Sequence, residues 1–210
     1  MALDSETLQS TLYTLFSSMN DGLSKTFANG IAGAVVTFVS TGTVNTVDAG
    51  TVTGGTFAGK GKGTLTVTPT ELAKTLISAC NKMNGITEDE DTEYGDDFLA
   101  EQIGKGLKQM ADNGKVNTTV KGTLTAPNGA TSAMSGNAQG SIKCDSTYLV
   151  KALKSLFKDM YDNREDKSYD GNMEFAKKLA SEIKTFFTSG IITTDGLVNL
   201  EGSKGSGNLS

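Results

Sequence analysis

Apolar residues recur along this chain at helical spacing, and the same spacing recurs three times. Walking back without a gap from Gly42, Gly114 and Gly190 aligns Phe38, Met110 and Phe186, then Val35, Leu107 and Ile183, then Ile31, Ile103 and Leu179. The walk continues through Ala28, Ala100 and Ala176 and ends at Phe27, Leu99 and Phe175. Apolar positions at offsets 0, 1, 4, 8 and 11 form one face of a helix and not of a strand, since a helix turns once in about 3.6 residues. The glycine that follows stands where a helix C-cap belongs. A second ungapped match lies upstream: Leu8, Leu72 and Leu149; Leu12, Leu76 and Leu153; Leu15, Ala79 and Leu156; Phe16, Cys80 and Phe157; Met19, Met83 and Met160. It predicts another amphipathic helix. Asp4, Thr68 and Asp145 are its N-cap candidates, with Ser5, Pro69 and Ser146 at the first helical position.

Past each glycine the pattern turns extended. Val44, Val116 and Ile192 sit in Thr-rich sequence, and Gly-rich stretches then lead to GTLTV from Gly63, GSIKC from Gly140 and GNLS from Gly207. These read as two short strands in each case. The expectation is an α+β fold of three tandem repeats, 4–67, 68–144 and 145–210, each with two amphipathic helices followed by a short hairpin-like pair of strands. A unit this small buries little surface alone, so neighbours must share a core or complete each other's sheets.

Composition narrows the chemistry. The 210 residues include 25 Gly, carry a net charge of −5 and are 37% hydrophobic. Arg164 is the one arginine, which argues against a nucleic-acid surface, where phosphates call for clustered Lys and Arg. Histidine is absent, which removes His-based acid/base catalysis, nucleophile activation by His and the commonest zinc ligand. Cys80 and Cys144 lie far apart without CxxC spacing and read as small apolar core residues in a reducing compartment. MALDSETLQS has no basic or apolar leader pattern, and no run of 18 apolar residues occurs; the reading is a chain that is neither exported nor membrane-spanning.

Three stretches resemble sites and fail on chemistry. GGTFAGKG from Gly54 has the spacing of a phosphate-cradling loop in Gly54, Gly59 and Lys60. Gly61 stands where a Ser or Thr would hold magnesium, and a strand former follows where a helix should begin. Asp166, Ser168, Asp170 and Gly171 begin like a calcium loop, but Lys177 occupies the place of the bidentate Glu. The acidic run from Glu88 to Asp97 reads as a solvated loop. No catalytic, cofactor-binding or metal residue is assigned, no cofactor is expected, and the chain is read as not an enzyme.

The stretches MALDSETLQSTLYTLF and FAKKLASEIKTFFTSGIITTDG, with the Gly/Thr/Ser-rich tail, resemble small structural proteins of tailed-bacteriophage morphogenesis clusters. The resemblance implies a non-enzymatic virion structural or assembly protein of the neck, tail or baseplate, made in the host cytoplasm and oligomeric within a particle. Its partners would be other virion proteins, with no nucleic acid and no membrane. Interaction energy is expected from exposed strand edges and apolar helix faces, and association is expected to tolerate salt. The alternative is a monomeric ligand-binding or adhesive repeat protein using the acidic loops or Gly-rich turns.

Overall fold

The computed structural model describes residues 3–19, 24–84, 92–197 and 200–210. Its elements are α1 (Ser5–Ser18), α2 (Lys25–Ser40), β1 (Val44–Val52), β2 (Gly55–Thr66), α3 (Thr70–Met83), α4 (Thr92–Asp112), β3 (Lys115–Thr125), β4 (Thr131–Lys143), α5 (Thr147–Asp162), α6 (Gly171–Thr188), β5 (Ile191–Leu197) and β6 (Leu200–Leu209).

The architecture is α+β, but the expectation of three units each carrying its own hairpin is corrected. All six strands form one closed antiparallel barrel in chain order, with β6 returning to β1. Strands pair across helix pairs as well as across turns: β2 and β3 share 11 residue pairs, from Thr56↔Thr125 to Thr66↔Lys115, and β4 and β5 share six, against nine between β1 and β2. The physical reason is that each strand has two hydrogen-bonding edges. A separate ribbon would leave one edge per strand unpaired, whereas closure satisfies both. Exposed strand edges are therefore not the interaction surface either, because β1 is held by β2 on one side and by β6 on the other.

The helices close a second ring. Each packs on its neighbours in sequence, and α1 packs on α6. This layer covers the barrel end where β1 starts and β2 finishes. Apolar residues from all six strands at that end, Val44, Leu65, Val116, Ile142, Ile192 and Leu209, are buried in one core with the helices. Phe16, Phe157 and Phe175 mark where the ring closes, with ring centroids 4.8 Å apart for Phe16 and Phe175 and 5.4 Å for Phe157 and Phe175. Phe38, Met110 and Phe186 are all buried.

Two local expectations change. Asp4 caps α1, accepting from the backbone of Glu6 and Thr7, but α3 and α5 begin one residue later than expected, with Pro69 and Ser146 at the cap. Asp145 instead closes a turn onto Thr147, accepting from its N at 2.9 Å and its Oγ1 at 2.7 Å. Gly42, Gly114 and Gly190 are not left-handed caps, since positive φ among the described residues is confined to Gly54, Gly55 and Gly129. Their reason is space. A Cβ would lie 2.9 Å from Leu3 at Gly42, 3.0 Å from Leu65 at Gly114 and 2.6 Å from Cys144 Sγ at Gly190. At all three helix-to-strand junctions the backbone is pressed against the core.

Candidate functional site

Strand alternation decides which residues meet inside the barrel. On β1 the buried positions are Val44, Thr46, Asp48 and Val52. On β3 they are Val116, Thr118 and Val120, and on β5 Ile192 and Thr194. The even strands set glycines beside these positions in register, with Gly61 paired to Thr46 and Val120, and Gly205 paired to Asp48 and Thr194. Side chains from odd strands and glycines from even ones let a narrow six-stranded barrel fill its axis without overpacking. The result is layered. The apolar stack under the helices closes one end, and Val52, Phe57, Val120 and Ala138 form a separate apolar cluster toward the hairpin tips.

Between these two lies a polar layer. Asp48 is only 2% exposed. Thr46 Oγ1 donates to its Oδ2 at 2.6 Å and Thr194 Oγ1 to its Oδ1 at 2.8 Å. A side chain at Gly61 would collide with Thr46 Oγ1 and come within 3.0 Å of Asp48 Oδ2 and 3.2 Å of Thr118 Oγ1. Those three oxygens therefore lie close to one point beside Gly61. Thr118 is 3% exposed, and its Oγ1 has no hydrogen-bond partner among the described residues.

Outside, the same alternation displays lysines. Lys60 lies directly opposite Lys121 across β2 and β3, and Lys62 lies two residues on, opposite Thr119. All three are exposed, and none forms an ion pair among the described residues. The barrel segments 43–67, 114–144 and 190–210 hold six Lys against Asp48, Asp195 and Glu201, a net of +3, so the remaining residues carry −8 of the chain's −5. The lysines are scattered in sequence and gathered by strand pairing.

The stretches singled out from sequence go elsewhere. Gly54 turns the β1–β2 tip with φ +97, a value that favours glycine, while Gly59, Lys60 and Gly61 lie within β2. No helix N-terminus follows to meet a phosphate. Asp166 Oδ1 accepts from Ser168 N at 2.8 Å and Ser168 Oγ at 2.7 Å, and these bonds hold its carboxyl below the usual range. Asp170 caps α6, accepting from Met173 N at 3.0 Å, and takes the Tyr13 hydroxyl at 3.1 Å. The two carboxylates serve a turn and a cap. Residues 88–91 of the acidic run lie outside the described residues, and 92–97 open α4 instead of forming a loop; Asp97 and Glu101 both pair with Lys154, at 3.0 and 2.8 Å. Cys80 and Cys144 are free and buried, and burial pushes the Cys144 thiol up to about 12. A shallow cleft of about 380 Å³ between α1 and α2 is lined by Thr7, Thr11, Asn29, Gly33 and Thr37, without a titratable pair suited to catalysis.

The polar layer went unread from sequence although a signal was there. Thr46, Thr118 and Thr194 each stand two residues past the aligned Val44, Val116 and Ile192, so the alignment that found the apolar plug also marks the threonines. No protein-family model matches the chain, and no curated protein or solved structure matches it. Among the described residues no helix is long and apolar enough to cross a membrane.

Proposed function

We propose that the chain is a non-enzymatic structural or assembly protein of a tailed-bacteriophage virion, in the neck, tail or baseplate, and that it docks through the wall of its barrel. The observation that carries the docking surface is the Lys60↔Lys121 pair with Lys62 beside it. Like charges directly opposite on neighbouring strands work against the sheet. An acidic protein surface laid on this wall relieves that repulsion. The charge asymmetry, +3 on the barrel segments against −8 on the rest, supplies such a surface on a second copy of the same chain. Contact between two different faces is heterologous, the kind that builds rings or open stacks. The virion setting rests on the resemblance of the helical segments and the Gly/Thr-rich tail to phage structural proteins.

Association by this wall weakens with salt, in contrast to pairing by strand edges. Sedimentation velocity at low and high NaCl, on the wild type and on K60E/K121E, is the test. Salt-sensitive oligomers lost in the double variant support the docking surface. A monomer at every salt and concentration, together with absence of the chain from purified particles by mass spectrometry, would end the proposal.

A further inference from the structure

We propose that the polar layer of the barrel binds one monovalent alkali-metal cation between Asp48 and the hydroxyls of Thr46, Thr118 and Thr194. This goes beyond the assembly reading and does not depend on it.

Charge balance is the first argument. Asp48 sits 2% exposed with two neutral hydroxyl donors on its carboxylate and no cationic side chain bonded to it among the described residues. Hydroxyl donors stabilise a carboxylate but do not neutralise it, and a buried charge calls for a counter-charge. The lysines of β2 and β3 cannot supply one, because alternation turns Lys60, Lys62 and Lys121 outward. The second argument is independent. Thr118 Oγ1, on the far side of Gly61 from β1, is buried without a partner and faces the same point as Asp48 Oδ2 and Thr46 Oγ1. An acceptor oxygen of this kind is what a cation recruits, and it explains why a threonine, and not a valine of equal shape, stands at that level of β3.

The donor set selects the ion class. One carboxylate with neutral hydroxyls carries a single negative charge, matched by a single positive one; calcium and magnesium sites gather several carboxylates or phosphates. No group of three or more His, Cys, Asp or Glu suited to a metal occurs among the described residues. The glycines at Gly61 and Gly205 keep the even strands from filling the layer, and the apolar clusters above and below shut it from bulk water. An ion held here enters as the barrel closes.

The test is refolding from denaturant into lithium, sodium, potassium or N-methylglucamine chloride at equal ionic strength, followed by thermal melting. At a concentration ten times the dissociation constant, a bound ion raises Tm by about 3–6 °C for a chain of this size. The expected result is a rise with one alkali ion over N-methylglucamine, absent in D48N and reduced in T118V, both near-isosteric. Equal Tm in all four salts overturns the site. So does an ion-dependent rise that persists in D48N, which would place the ion on the surface. A D48N chain that melts at or above the wild type in every salt would mean that no bound cation stabilises the Asp48 carboxylate, and that also overturns the proposal. Because the wild-type salt series needs no variant, failure of D48N to fold leaves the test intact.

Discussion

Replacing Gly190 by alanine separates two reasons for a glycine at a helix-to-strand junction. Were the residue a left-handed cap, alanine would cost about 1 kcal/mol whatever surrounded it. Gly190 has no positive φ, so conformation alone favours alanine, by about 0.4–1 kcal/mol through the unfolded chain. Space opposes it. The new Cβ would lie 2.6 Å from Cys144 Sγ and 2.8 and 2.9 Å from Ile142 side-chain carbons, and both neighbours are buried. Overpacking of this kind costs about 1–3 kcal/mol. Taking one from the other leaves G190A less stable by about 0–2.6 kcal/mol, read as a Tm lower by up to about 10 °C. The decisive assay is a double-mutant cycle with C144A by urea denaturation. Removing the sulfur relieves the nearest clash but not the one with Ile142, so part of the loss returns and the coupling energy is at least about 0.5 kcal/mol. Additive effects, or a G190A chain more stable than the wild type, would refute the packing account.

Four further outcomes follow from the structure. Phe186→Ala, at a site 2% exposed in the shared core, lowers stability by about 3–5 kcal/mol in chemical denaturation. K121E removes the like-charge opposition to Lys60 and gains about 0.2–1 kcal/mol in melting, while weakening any salt-sensitive self-association; a loss of stability would contradict the strand register. The Cys144 thiol is raised from 9.0 to about 12, so the folded state holds its proton over a pH range in which the unfolded chain releases it; that stabilisation is complete below pH 9 and is lost as pH rises toward 12, and C144A flattens this decline. Calorimetry with ATP or calcium should give no submillimolar binding, because Gly61 faces the barrel axis and Asp166 and Asp170 are spent on a turn and a cap.

The helices were legible because their signal is local. A face such as Phe27, Ile31, Val35 and Phe38 needs only the helical period to be recognised, and those residues are buried. Strand existence was legible too, from Thr-rich sequence bounded by glycine. Strand partnership was not. Whether Thr66 pairs with Lys115 depends on two helices and the residues between them bringing β3 back beside β2, and no short-range pattern encodes that return. The candidate site shares this limit. Lys60 was visible only as the lysine of a failed phosphate loop, and it becomes part of a patch because closure sets Lys121, sixty-one residues on, directly across from it.

The axis of the barrel shows why an aligned pattern need not give identical chemistry. Position by position, β1, β3 and β5 run in parallel: Val44, Val116 and Ile192 plug the helix end, and Thr46, Thr118 and Thr194 lie beneath. One step further β1 has Asp48, β3 has Val120 and the aligned residue of β5 is Gly196. Inward-facing positions at one level of a narrow barrel converge on the axis, so three carboxylates there would crowd like charges in a place shut from water. A single acid with smaller or apolar residues opposite is the arrangement that such an axis tolerates. It also fixes direction within the layer. Asp48 receives hydroxyls from its own strand and from β5, the strand beyond β6, and receives none from β3. Thr118 is thereby left as the odd member of an otherwise equivalent set. An asymmetry confined to one side chain per strand has converted three equal walls into a site with a charged side and an open one.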